Sequence, residues 1–477
     1  MKNSEKSEIM QLFESHFGEK LEYFEMLPPS GSYREYCRLQ THQHSAIGVW
    51  NNDVKENTAF LSFTSHFLEN DLPVPKVYAV GSDLKCYLLE DLGNVTLFDF
   101  LSKTRESEGF SETIISEYKK VLKVLPKIQV IAGKNLDYSV CYPRAAFDKQ
   151  SMMWDLNYFK YYFLKLAKVH FDEQALEDDF QTFSDYLLSA DSDYFMYRDF
   201  QSRNVMLKDE DVYFIDYQGG RRGALQYDLA SLLYDGKADI PPTVRQQLFE
   251  KYISELKKYV KVDQAEFTAY FNGFVLIRIM QAMGAYGFRG FYEKKEHFLK
   301  SIPYAIRNLE TLLEEVKLPV EIPELFNVFY QLIQSDELKE IGSVESDKLT
   351  ITITSFAYKN GYPNDTSGNG GGHVFDCRAI NNPGRYPEYK SLTGKDLEVQ
   401  EFLEKNSEIG IFLDRVKLIV DQSVKTYLDR KFKNLSVSFG CTGGQHRSVY
   451  SVEKLAEHLK NNFPVNVVVN HREQQNW

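Results

Sequence analysis

The chain has 477 residues, 43% of them hydrophobic and 14% aromatic, which is too long for one core of ordinary size and rich enough for two. Its net charge is −12. Residues 347–477 hold 17 Lys+Arg against 15 Asp+Glu, so the acidic excess lies before them and disfavours nucleic acid there, leaving only the tail open to it. Five cysteines without a CxxC pair, a polar start and no apolar run of membrane length predict a cytoplasmic protein without disulfides, leader or membrane span.

In chain order, residues 1–20 read as one amphipathic helix, and the segment up to about 95 is strand-rich. Pro28-Pro29-Ser30-Gly31-Ser32-Tyr33 forms a turn between two strands, where a kinase folds a glycine-bearing loop over nucleotide phosphates. Gly31 and Ser32 are its candidate contacts. Residues 86–93 are a buried strand opening into a linker, where the backbone of Glu90, Asp91 and Leu92 can meet an adenine edge. From about 111 to 315 the pattern turns mostly helical, so a small strand-rich lobe is expected on a larger helical one, with a nucleotide cleft between them.

The most informative stretch is Tyr197-Arg198-Asp199-Phe200-Gln201-Ser202-Arg203-Asn204, followed by Asp216. It has the layout of a phosphoryl-transfer loop. Asp199 can accept the proton of an attacking hydroxyl, while Asn204 and Asp216 hold magnesium against the phosphates of ATP. Apolar runs Val205-Met206-Leu207 and Val212-Tyr213-Phe214-Ile215 flank a polar turn, a hairpin that brings Asn204 and Asp216 side by side. Asp228 starts an apolar helix and reads as its cap.

Two prolines near 319–323 and an amphipathic helix up to Ile341 mark a linker over 316–346, between domains at 1–315 and 347–477. The second domain opens on the period-two strand Leu349 to Phe356. Its main feature is Gly440-Cys441-Thr442-Gly443-Gly444-Gln445-His446-Arg447-Ser448-Val449, a strand that breaks into a glycine-rich turn and continues as a helix. Backbone N–H groups and the positive helix end converge there, so phosphate is the natural guest, with Arg447 as a bidentate clamp and Thr442 and Ser448 as hydroxyl donors. Cys441 and Arg447 also fit the Cys-x5-Arg cradle of cysteine phosphatases, although Gly440 stands where those enzymes usually carry His.

Residues 1–315 resemble the aminoglycoside phosphotransferase and choline kinase superfamily, in particular bacterial kinases of the anomeric hydroxyl of N-acetylmuramate or N-acetylglucosamine. The resemblance rests on Gly31 to Leu39, Leu89 to Gly93, Tyr197 to Asn204, Ile215 to Gly220 and Tyr227 to Leu233. It implies Asp199 as base, Asn204 and Asp216 as magnesium ligands and Glu90 to Leu92 near adenine. One departure stands out: the strand Ala46 to Asn52 lacks the lysine expected to meet the phosphates, leaving Arg34, Arg38 or Lys55 to supply that charge.

Residues 350–473 resemble the C-terminal domain of RapZ, through Ser355 to Pro363, Phe375-Asp376-Cys377-Arg378, Asn382-Pro383, Leu392-Thr393-Gly394, His471-Arg472 and the Gly440 to Val449 loop. The resemblance implies a site for glucosamine 6-phosphate at Lys359, His373, Asp376, Arg378, Cys441, Thr442, Gly443, His446 and Arg447, with Gly444 in the same turn. Gly368 to Gly372 enlarges the loop before His373, and the P-loop domain of RapZ has no counterpart, since GxxxxGK[ST] does not occur.

The expected architecture is α+β, a bilobal protein-kinase-like fold followed by a smaller α/β domain. The expected function is an ATP- and Mg2+-dependent kinase of a sugar or amino-sugar hydroxyl, with a phosphosugar ligand at the second domain. The missing lysine keeps open a catalytically weak metabolite sensor that docks on a protein or RNA.

Overall fold

The computed structural model describes residues 1–28, 34–341, 348–363 and 372–474, apart from the side chains at 296 and 315. The chain divides into two compact units, Met1–Tyr292 with Ser301–Lys339, and Glu293–Lys300 with Glu340–Trp477.

The first unit begins with α1 (Asn3–Phe17) and an antiparallel sheet of β1 (Tyr23–Met26), β2 (Glu35–Gln40), β3 (Ser45–Trp50), β4 (Val77–Val80) and β5 (Cys86–Glu90), in the order β1-β2-β3-β5-β4. Ile9 and Phe13, one turn apart on α1, pack with Cys37, Leu39, Ala46, Trp50, Cys86 and Leu88 of the sheet. Between β3 and β4 runs α2 (Val54–Glu69), capped by the Asp53 side chain, which accepts from the N–H groups of Lys55 and Glu56. Phe60, Phe63 and Phe67 lie on its buried side, and the Phe60 ring stacks between Tyr87 of β5 and Tyr217, at 5.3 and 5.1 Å. That stack fastens α2 to the segment just after Asp216.

The larger lobe is helical: α3 (Leu97–Glu108), α4 (Glu112–Pro126), α5 (Lys149–Phe159), α6 (Glu173–Leu188), α7 (Leu225–Leu233), α8 (Pro242–Leu256) and α9 (Gln264–Tyr286). Phe274, Val275, Leu276, Ile277, Arg278, Ile279 and Met280 are buried in succession, so α9 has no solvent face there and forms the centre against which α5 and α7 pack. Two small two-stranded sheets cross this lobe. β6 (Tyr194–Met196) pairs with β9 (Arg221–Gly223), and β7 (Val205–Lys208) pairs with β8 (Asp211–Phe214), both antiparallel. The second is the predicted hairpin, with Val205 opposite Phe214. The strand-rich and helical lobes expected from the sequence are therefore present.

After the short α10 (Glu296–Leu299) come α11 (Ile302–Glu315), α12 (Pro323–Gln334) and α13 (Asp336–Glu340). The segment read as a linker helix is α12, and it packs on α6 and α11 of the first unit. Its Leu325, Val328, Phe329 and Leu332 are buried, and the Leu325 N–H donates to Asp179 at 2.8 Å. An amphipathic helix needs something to cover its apolar stripe, and the helical lobe supplies it.

The second unit holds a parallel sheet of β10 (Thr350–Ala357), β11 (Gly372–Asp376), β12 (Asn434–Cys441) and β13 (Asn466–His471) in the order β11-β12-β10-β13. Its helices are α14 (Leu397–Asn406), α15 (Ile409–Asp429) and α16 (Arg447–Asn462). Ile351, Ile353, Val437 and Phe439 of the sheet join Val416, Val420, Val452 and Leu455 of the helices in one core. In such sheets the carboxyl ends of the strands form the ligand crevice. The Gly440 to Ser448 loop lies at that edge.

Candidate active site and candidate phosphosugar site

Asn204 joins the Tyr197 to Asn204 loop to Asp216. Its Nδ2 donates to the main-chain oxygen of Asp199 at 2.8 Å and to Asp216 Oδ2 at 3.3 Å. The hairpin register causes this meeting, because the Ile215 N–H also reaches the Asn204 carbonyl at 3.1 Å. Among the described residues the Asp199 carboxylate takes no hydrogen bond, so it is open to a hydroxyl. Arg198 and Asp216 adopt φ of +81° and +69°, positions that non-glycine residues hold only when their surroundings compel them.

The compulsion on Arg198 is visible. Its N–H and that of Tyr197 donate to the two oxygens of Asp228 at 3.0 and 2.9 Å, and Gln129 adds a third bond to the same carboxylate at 3.0 Å. Asp228 thus braces the catalytic loop instead of capping α7, whose N-cap is Ala224. It sits within the helix with its side chain turned to β6. Burial pushes the Asp228 carboxyl up to about 7 against the opposing pull of those N–H groups.

Arg34 approaches from the sheet lobe. Its guanidinium, 3% exposed, pairs with Glu56 of α2 at 2.6 Å and reaches Asp216 Oδ1 at 3.4 Å and the Tyr36 hydroxyl at 3.3 Å. Burial pulls its pKa down, yet Tyr36, Glu56 and Asp216 outweigh that and leave it above the ordinary arginine value. Gln218 and Asn51 complete the cluster, donating to Asp216 at 2.7 Å and Glu56 at 2.8 Å. A cation on β3 is absent, and Arg34, just ahead of the neighbouring β2, is the guanidinium that reaches Asp216. Arg38 instead grips Asp91 at 2.8 and 3.0 Å, and Lys55 is exposed.

At the linker after β5, Asp91 also accepts from Ser45 at 2.6 Å and from the Gly93 N–H at 3.0 Å, so its side chain is committed to shaping the turn. Burial raises its pKa, but Arg38, Ser45 and Gly93 override this and hold it below the usual range. Lys208 ties Glu90 to the β7–β8 hairpin at 3.0 Å, and Leu92 is buried. Gly31 and Ser32 lie outside the described residues.

Asn204 and Asp216 offer an amide oxygen and a carboxylate, the hard donors that magnesium prefers. Among the described residues no group of three His, Cys, Asp or Glu is disposed to hold a metal ion. A magnesium ion held by these two would need its remaining ligands from water and from the phosphates of a bound nucleotide.

In the second unit, Tyr358, Lys359, Asp376, Arg378, Cys441, Thr442, Gly443 and Gly444 all follow or end strands at the carboxyl edge of the sheet. Gly444 has φ +69° and donates its N–H to Cys441 Sγ at 3.1 Å, while Ser448 Oγ lies 3.1 Å from the same sulfur. A Cβ on Gly440 would lie 2.4 Å from the Tyr358 ring. That crowding excludes the histidine a phosphatase would place there. Arg378 is exposed, forked onto Asp376 at 2.7 and 3.0 Å and stacked on Tyr358 at 3.9 Å.

Other members differ from the sequence-based expectation. Arg447 is 3% exposed, and it donates to the carbonyls of Arg378 and Ile380 at 3.0 and 2.9 Å and to Thr442 at 3.2 Å. It knits the loop to β11 and is not a free clamp, although its Nε has no partner. His446 holds the Tyr389 carbonyl at 2.8 Å, and burial lowers its pKa. His373 turns away to Ser423 of α15 at 2.9 Å, three residues before Asp376, and is not brought to the loop. Gly368 to Gly371 lie outside the described residues.

The sequence model of the phosphotransferase enzyme family matches residues 50–262, and that of the RapZ C-terminal domain matches residues 349–475. This chain joins a phosphotransferase-family domain to a RapZ C-terminal domain. A nucleotide-binding protein of Albidiferax ferrireducens is 40% identical over 120 residues, which is 25% of this chain and 38% of that protein. One from Xylella fastidiosa is 35% identical over 180 residues, 37% of this chain and 60% of that protein. The chain therefore spans less than two thirds of these relatives. Among solved structures, choline kinase LicA from Streptococcus pneumoniae shows 14% identity and a TM-score of 0.42, covering 65% of this chain and 99% of that one. Spectinomycin phosphotransferase APH(9)-Ia, in complex with ADP and spectinomycin, shows 13% identity and a TM-score of 0.41, covering 71% and 97%.

One residue of the phosphotransferase domain and one of the RapZ-like domain escaped the sequence reading. Glu56 sits in the first turn of α2, where a carboxylate reads as an ordinary partner of the helix dipole. Asp155 on α5 receives Arg198 at 2.6 Å. Glu473 accepts from the Ala357 N–H at 3.3 Å and Asn360 at 2.9 Å and backs Gly444, so a carboxylate supports the glycine turn from behind.

Proposed function

We propose that the chain is an ATP- and magnesium-dependent kinase that phosphorylates a hydroxyl of a sugar or amino sugar, with the RapZ-like domain binding an amino-sugar phosphate. The observation that carries it is the Asn204 side chain bonded to both the Asp199 carbonyl and the Asp216 carboxylate. In this reading Asp199 orients the hydroxyl and takes its proton, with a carboxylate left unbonded for that purpose. Asn204 and Asp216 hold magnesium, which offsets charge on the transferring phosphoryl group. Glu90 to Leu92 meet the adenine through backbone, since the Asp91 side chain is already engaged by Arg38. Arg34 neutralises phosphate from the sheet side, steadied by Glu56.

That last pairing favours an enzyme over the metabolite sensor, because it provides the cation whose absence from β3 made the sensor attractive. Phosphosugar binding in the second domain draws on Thr442, Gly443, Gly444 and Ser448 at the start of α16, with Lys359 and Arg378 at the rim. Acceptor-stimulated ADP release over a panel of sugars and amino sugars tests the reading. At least one should raise ADP release well above the acceptor-free rate; a flat panel with intact ATP binding supports the sensor instead.

A further inference from the structure

Near Asp199 lies a guanidinium that the phosphoryl transfer described above does not use. Arg221 opens β9 directly across from Met196, so it stands beside the strand that leads into Arg198 and Asp199. It is 7% exposed, and its Nε donates to the Gly219 carbonyl at 3.1 Å. Among the described residues its terminal nitrogens make no hydrogen bond and no ion pair. One bond from a group with five N–H donors leaves the terminal nitrogens as an open fork at the end of a buried stem, since they are not among the enclosed atoms without a partner.

The neighbours sharpen the point. Arg198 is well provided, with Asp155 at 2.6 Å, the Tyr227 hydroxyl at 2.7 Å and the Phe147 ring at 4.8 Å. Asp155 keeps one buried oxygen without a partner. Burial, and after it the positive charge of Arg198, pull the Arg221 pKa below the ordinary value, with Tyr227, Asp155 and Asp199 opposing. An arginine cannot relieve such a position by losing its proton, as a lysine can. An anion arriving in the plane of the fork would give both terminal nitrogens a partner of opposite charge.

We propose that Arg221 is the recognition point for an anionic group on the acceptor, so that the hydroxyl presented to Asp199 belongs to a sugar or amino sugar carrying a carboxylate or a phosphate. The proposal rests on the kinase reading and narrows its substrate. ATP is not the anion in question. The nucleotide side is served by Arg34, which touches Asp216, whereas the charges around Arg221 are Arg198, Asp155 and Asp199.

The test is calorimetric binding to the full chain, loaded with a non-hydrolysable ATP analogue, of N-acetylmuramate (carboxylate), N-acetylglucosamine 6-phosphate and neutral N-acetylglucosamine. At least one acidic sugar should bind roughly 10- to 100-fold more tightly than the neutral one, the range for hydrogen bonds to a charged group. Which acidic sugar wins identifies the anion. Arg221→Gln should bring the acidic sugar's affinity to that of the neutral one, with nucleotide affinity and melting temperature unchanged. Arg221→Lys should restore part of it. Equal binding of neutral and acidic sugars by the wild type, acidic selectivity that survives Arg221→Gln, or an equal loss for both in that variant overturns the proposal. Acidic binding that Arg221→Gln abolishes, with no ADP release when ATP replaces the analogue, leaves the anion site standing and removes the kinase reading instead.

Discussion

Arg34 and Glu56 meet at 2.6 Å, joining the start of β2 to the first turn of α2, and the same guanidinium touches Asp216 at 3.4 Å. A buried cation held by two carboxylates from different elements is placed to receive a third anion between them. Under the kinase reading that anion is a nucleotide phosphate. Arg34→Met is expected to cut kcat/KM for ATP by roughly 100-fold, the usual loss when one preorganised charge donor is removed. Arg34→Lys should recover part of that, because a lysine keeps the charge but not the fork that spans both partners. Steady-state kinetics with ATP varied checks this; unchanged kinetics in Arg34→Met would assign the cluster to structure alone.

Asp199→Asn keeps the shape of the loop and removes the proton acceptor. Its kcat should fall by about 1,000-fold, within the range for general-base groups, while the dissociation constant for ATP stays within about twofold. Single-turnover rates and nucleotide titration separate the two effects.

Asp228 makes the stability of the first unit depend on pH. Its folded-state pKa of about 7 lies above the value of about 3.9 for an unfolded aspartate. The folded protein therefore binds this proton more tightly, and the contribution is full below about pH 4, declines as pH rises and is gone above about 7. Relative to Asp228→Asn, the wild type should lose stability between pH 4.5 and 7 and run parallel above it. Urea unfolding across that window reads the difference. The variant should also lose kcat, since an amide cannot accept from Tyr197, Arg198 and Gln129 together.

In the RapZ-like domain the two arginines should behave differently. Arg378→Ala removes an exposed guanidinium and is expected to weaken binding of glucosamine 6-phosphate about tenfold without shifting the melting temperature. Arg447→Ala strips partners from two carbonyls inside the fold and should destabilise the domain by roughly 3 kcal/mol. Equal stability of the two variants would show that Arg447 is free for ligand after all.

The sequence made legible what depends on local pattern. The β7–β8 hairpin follows from two apolar runs around a charged turn, and with it the pairing of Asn204 and Asp216. The strand-turn-helix around Cys441 was equally plain from its glycines. Contacts closed over long separations were not. Arg34 meets Asp216 across 182 positions, and Asp228 meets Tyr197 across 31, where an Asp near a helix start looks like any cap. His373 and Arg447 show the converse: residue type suggested ligand binding, but packing directs one to α15 and the other to backbone carbonyls. Such choices depend on which neighbour offers a partner once the chain is folded.

The most direct measurement is phosphorus NMR of the full chain with ATP, magnesium and an acidic amino sugar, beside the matched Asp199→Asn sample. The account predicts a new sugar-phosphate resonance growing in step with ADP in the wild type and absent from the variant. Equal phosphosugar formation by the two proteins, or ADP accumulating with inorganic phosphate and no sugar phosphate, would contradict it.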